Sequence, residues 1–196
     1  MATRALLAAA VAAITLAPAA HSQNLAGSQV TVAGYCCTAP PGPGTQATNA
    51  VTATVGPTTE FPAGSLTSLT SGLTALPVAI DVGSNDIEIN YSAGGVVAPG
   101  GFNGYIFTFA NAPAITGVTL DPRSSSGYTP ALTFSGNQVF VNEAGLTLTS
   151  TTMGLLDVTT ATVPPPVPEP EAYAMLLGGL GLLGWTARRR SQGGRG

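Results

Sequence analysis

The C-terminal quarter of the chain sets the strongest limit on its fold. An apolar run from Ala172 to Ala187 carries no charge, follows a proline-rich stretch ending in Val167-Pro168-Glu169-Pro170, and is closed by Arg188, Arg189 and Arg190. An uncharged helix can satisfy its backbone hydrogen bonds in lipid, whereas arginines are costly to bury there. The run therefore predicts a single transmembrane helix over 172–187 with a basic cytoplasmic tail over 188–196. At 16 residues it would be roughly 24 Å long, slightly less than a permanent span requires. Gly178, Gly179, Gly181 and Gly184 lower its helix propensity further. The three arginines serve as the membrane stop, which places everything before them on the opposite, periplasmic side.

The five prolines between Val163 and Pro170 favour an extended conformation, so residues 161–171 read as a stiff linker that carries a cleavable motif. At the other end, Arg4 precedes the apolar stretch Leu6 to Leu16, and Ala20-His21-Ser22 offers a small-x-small cleavage site. Residues 1–22 read as a signal helix removed by signal peptidase. The two ends together describe an exported precursor retained for a time by its tail.

The tail resembles the PEP-CTERM sorting signal of Gram-negative bacteria in all three parts: Val167, Pro168, Glu169 and Pro170 as the sorting and cleavage motif, Ala172 to Ala187 as the glycine- and leucine-rich helix, and the arginines as the basic end. The resemblance implies recognition and cleavage by a membrane-embedded exosortase in bacteria that make exopolysaccharide, biofilm or floc. It covers about thirty residues. Short stretches of the body, including Tyr35-Cys36-Cys37-Thr38 and Phe102-Asn103-Gly104-Tyr105, are similar to uncharacterised proteins of the same kind and imply no activity.

Between the ends, residues 23–160 hold one arginine, Arg123, against seven carboxylates, a formal charge of −6, and the chain has no lysine. Nucleic-acid binding depends on Lys and Arg to displace phosphate counterions, so this surface excludes it. About 138 residues suffice for one core. Short runs of β-branched residues alternate with small or polar ones between Gly, Pro and Asn, and no helix of three turns is visible. Ten strands are expected, among them Val78–Val82, Ile87–Tyr91, Tyr105–Phe109, Ala131–Phe134, Gln138–Val141 and Leu155–Thr159. Two hairpins are expected at Gly83-Ser84-Asn85 and Ser135-Gly136-Asn137. The pattern predicts an all-β body, an antiparallel β-sandwich of jelly-roll kind.

The catalytic inventory is thin. The one histidine, His21, lies in the signal peptide, so His-dependent nucleophiles and His-ligated zinc are excluded from the mature body. The absence of lysine excludes Ser-Lys pairs and Schiff bases. The expected protein is not an enzyme. Asp81, Asp86 and Glu88 form the local acid cluster. They are candidates for a carboxylate-dependent glycoside hydrolase or for calcium, the one cofactor considered, although the spacing is not that of an EF-hand and a solvated hairpin is the simpler reading.

Cys36 and Cys37 are adjacent in an oxidising compartment, and three states are open: a vicinal bridge, intermolecular pairing, or two buried thiols. Tyr91, Phe102 and Tyr128 lie near turns and are the candidates for stacking on glycan rings, while Tyr105, Phe107 and Phe109 share one strand face and read as core. The leading expectation is an exported structural or interaction protein of the envelope or extracellular matrix, with exosortase, signal peptidase and transiently the inner membrane as partners. A carbohydrate-binding module for the cell's own exopolysaccharide is the alternative.

Overall fold

The computed structural model of the chain describes residues 24–37, 45–69, 71, 74–162 and 170–192. The expected signal peptide and most of the linker, including Val167, Pro168 and Glu169, lie outside them. The described residues belong to two units, a β-rich body within His21–Val163 and a C-terminal helix within Pro164–Gly196.

The body contains β1 (Gln29–Cys36), β2 (Thr45–Gln46), β3 (Val51–Thr54), β4 (Val78–Val82), β5 (Asp86–Tyr91), β6 (Gly95–Val96), β7 (Gly104–Ala110), β8 (Ile115–Leu120), β9 (Ala131–Ser135), β10 (Gln138–Asn142), β11 (Thr147–Leu148) and β12 (Met153–Thr160). A six-stranded sheet runs β2-β1-β7-β10-β9, with β3 also pairing to β1; a four-stranded sheet runs β4-β5-β12-β8; and β6 pairs with β11. All these pairings are antiparallel.

The period-two alternation of the sequence explains which faces are buried. In β4 and β5, Val78, Ile80, Val82, Ile87, Ile89 and Tyr91 are buried while the residues between them are half-exposed. Val30 and Val32 of β1, Tyr105, Phe107 and Phe109 of β7, and Val139 and Val141 of β10 join these residues and Leu156 and Val158 of β12 in a single hydrophobic cluster. The inner faces of both large sheets thus contribute to one core. On the other face of the six-stranded sheet a smaller cluster gathers Phe102, Ile106 and Phe140, with Tyr35 packed beside them.

Both expected hairpins form, as β4-β5 and β9-β10. In the second, Gly136 alone takes a positive φ, 59°, which a two-residue turn with glycine in its first central position requires.

The helix α1 spans Pro170–Gln192, opening on a proline whose missing N–H costs nothing at a helix start. Met175, Leu176, Leu177, Leu180, Leu182, Leu183 and Trp185 are all exposed, so the apolar side chains encircle the helix and do not form one stripe. The expectation of a transmembrane helix over 172–187 is corrected here: among the described residues, no helix is long and apolar enough to cross a membrane. The physical reason lies in the residues. Four glycines add little hydrophobicity, and extending the 16-residue run to membrane thickness brings in Glu171 or the arginines.

Candidate functional site

The body holds a cavity of about 390 Å³ whose lining includes Cys36, Cys37, Leu76, Val97, Tyr105 and Glu143. Its construction begins at the end of β10. Asn142 fixes the exit of the strand, its Oδ1 accepting from the N–H groups of Asn103 (3.0 Å) and Ala144 (3.1 Å). Glu143 then donates its own N–H to the Asn103 carbonyl at 2.9 Å and accepts from Leu146 N–H at 2.9 Å. This tight turn directs the Glu143 side chain inward, where the residue is only 2% exposed.

Three tyrosines from three segments surround that carboxyl group. Tyr91, the last residue of β5, donates its hydroxyl to Glu143 at 2.6 Å and approaches the Tyr105 hydroxyl of β7 at 3.5 Å. Tyr128 donates to Glu143 Oε1, also at 2.6 Å. Tyr128 is placed by a serine-rich segment that extends the pairing of β12. Ser124 Oγ accepts from Leu155 N–H and Ser125 Oγ accepts from Met153 N–H, each at 2.9 Å. Gly154 of β12 lies directly under the Tyr128 ring, and a Cβ there would overlap the ring atoms. Only glycine leaves that space.

Burial pushes the Glu143 carboxyl up to about 7, with the hydroxyls of Tyr128 and Tyr91 acting in the opposite direction. Burial likewise raises Tyr91, Tyr105 and Tyr128 above the ordinary phenol range, so all three remain neutral donors at any physiological pH. The carboxyl group accepts from two hydroxyls, and among the described residues no basic side chain is paired with it. The body's single arginine is committed elsewhere: Arg123 grips Asp121 through Nε and Nη2, the shortest contact being 2.7 Å, and its hydrogen bonds hold Asp121 below the usual carboxylate range.

The cysteines form one wall of the cavity as a vicinal disulfide, with Cα atoms 3.7 Å apart. Of the three states open from the sequence, the intramolecular bridge is the one observed. Cys36 closes β1 in register with Thr45, and Cys37 turns away in the left-handed region with φ 81°, unusual for a residue with a Cβ.

The glycan-stacking expectation is corrected by burial. Tyr91 and Phe102 are each 3% exposed and Tyr128 is 2% exposed, so none offers a ring face to an extended sugar. Phe102 packs with Ile106 and Phe140, and the two tyrosines turn their hydroxyls to Glu143.

Asp81 and Glu88 face one another across the β4-β5 pair, and Asp86 is opposite Asp157 of β12. Glu60 joins this group from outside the sequence cluster. Its carboxylate accepts from Gly56 N–H and Val82 N–H, both at 2.7 Å. Partial burial, and then the neighbouring Glu60 charge, raise the Asp81 carboxyl. Among the described residues no group of three or more His, Cys, Asp or Glu side chains is arranged to hold a metal ion, so the calcium candidate Asp81, Asp86 and Glu88 does not form a coordination site. Sequence reasoning missed Glu143 because it stands alone between Asn142 and Ala144, with no second acid or basic residue near it in the chain.

The cavity belongs to the body, and the chain continues after it into α1, whose apolar run ends in Arg188, Arg189 and Arg190. Residues 166–190 match the PEP-CTERM protein-sorting motif. The chain carries this sorting motif at its C-terminal end, and the motif implies an exported target of an exosortase. No curated protein and no solved structure matches the chain.

Proposed function

We propose that this is a non-enzymatic envelope or extracellular-matrix protein of an exopolysaccharide-producing bacterium, serving there as a structural or interaction component. The sorting motif over residues 166–190 is the observation that carries this reading. The precursor loses its leader to signal peptidase, is held briefly at the inner membrane through its tail with the body on the periplasmic side, and is cut by the exosortase beside Pro168-Glu169-Pro170. An apolar run this short and glycine-diluted suits handing over to a protease better than lasting attachment. The body it releases is a two-layer β-sandwich whose acidic surface repels nucleic acid.

Fractionation of cells with and without the exosortase tests this. The expected result is a tail-less body outside the inner membrane in the first case and full-length protein retained with the cells in the second. Full-length protein found in the same fraction regardless of the exosortase would overturn the reading.

A further inference from the structure

We propose that the cavity bounded by Glu143, Tyr105 and the Cys36–Cys37 disulfide binds a small primary amine in its protonated form, with the ammonium group against the Glu143 carboxylate and a compact apolar body against Leu76 and Val97. The argument rests on what the site has and what it lacks. A buried carboxylate needs hydrogen bonds and needs its charge balanced. Tyr91 and Tyr128 meet the first need with two hydroxyl donors. Neither carries charge, among the described residues no basic side chain lines the cavity, and Arg123 is paired to Asp121.

The missing partner is therefore a cation, and it must arrive from outside. An anion would meet the carboxylate's own charge. A bare metal ion would want several ligating carboxylates, and Glu143 is the one acid lining the cavity. An ammonium group supplies both charge and N–H donors to the lone pairs that the tyrosines leave open. The volume, about 390 Å³, lies at the small end of ligand pockets and suits one ring or a short chain. The disulfide gives that body a fixed apolar wall. Burial pushes the Glu143 carboxyl up to about 7, the direction expected of a buried carboxyl group with no countercharge beside it.

The titratable groups facing Glu143 are Tyr91 from β5, Tyr105 from β7 and Tyr128 from the segment between β8 and β9, and all stay neutral. On the protein side binding therefore follows the Glu143 proton, and it strengthens as pH rises through 7 as long as the amine itself stays protonated. The test is calorimetric titration of the full chain in detergent with benzylamine and with glucosamine, each against its neutral counterpart, benzyl alcohol and N-acetylglucosamine. The two amines distinguish an aromatic or aliphatic source from an amino sugar. At least one amine is expected to bind at pH 8, about tenfold or more tighter than its neutral counterpart and about tenfold tighter than at pH 5.5.

Glu143→Gln should remove that preference. Ala98→Trp, which fills the exposed mouth of the cavity and leaves the carboxyl group untouched, should weaken binding with the melting transition unchanged and covers the case in which the first variant does not fold. Failure of both amines to bind, equal binding of amine and neutral partner, or full binding by a folded Glu143→Gln or Ala98→Trp chain would overturn the proposal. These outcomes are independent of where the protein is sorted.

Discussion

At the scale of single residues, Glu143 links stability to pH. Its carboxyl group titrates at about 7 in the fold against an ordinary 4.5, so the folded state binds the proton more tightly. The resulting stabilisation is complete below pH 4.5 and is lost as pH rises to 7, by an amount on the order of 2–3 kcal/mol. Thermal melts between pH 4.5 and 8 should show the midpoint falling as pH rises, and Glu143→Gln should flatten that slope. A second prediction concerns Gly154. Substituting alanine forces the Tyr128 ring off its seat and strains the hydrogen bond to Glu143, a loss of about 2 kcal/mol or more read as a lowered midpoint. Tyr128→Phe should remove only the hydrogen bond and cost less. None of these roles was legible from the chain, because a residue's role in a three-strand convergence is set by pairings distant in sequence. What the sequence did show was that tyrosines end strands. It did not show whether such an end is covered.

At the scale of elements, local patterning was legible wherever alternation was strict. Ile87, Ile89 and Tyr91 against Glu88 and Asn90 gave strand and buried face together, and Gly136 gave the turn. The two-residue strands Thr45–Gln46 and Gly95–Val96 were not read, since so short a pairing leaves no periodic signal and exists only because a partner strand lies alongside. The turn after β1 shows the same limit in chemistry. Adjacency of Cys36 and Cys37 left three states open, and the positive φ of Cys37 that accompanies the bridge is a property of the folded backbone. Because the ring closed by adjacent residues restrains almost none of the unfolded chain, reducing it should alter folding stability by less than about 1 kcal/mol. Intact mass after alkylation checks the bond itself, with no adduct expected before reduction and two after it.

At the scale of the whole molecule, the charges are few and, between residues 23 and 160, nearly all of one sign. Asp81 stands opposite Glu88 and beside Glu60, a like-charge group that burial does little to relieve. Replacing Asp81 with Asn should raise the melting midpoint by about one or two degrees at pH 7 and by less in acid, because a raised carboxyl takes up its proton earlier as pH falls. Calcium or a chelator should leave the midpoint of the unmodified chain where it is, and a calcium-dependent rise would restore a metal role for these acids. The sorting tail was legible in full as a motif because its information is linear: a protease reads consecutive residues. The cavity was illegible because its walls come from residues 34 to 143.

The strand order also bears on export. β12, the last strand of the body, occupies an interior place between β5 and β8, and it ends at Thr160, only a few residues before the sorting motif begins at 166. A chain emerging from its N-terminus would present β4, β5 and β8 with a gap where their common neighbour belongs, and would hold an unfinished sheet until the final segment arrived. Completion of the fold thereby falls just before arrival of the address, so a precursor cut short before Met153 would lack both at once.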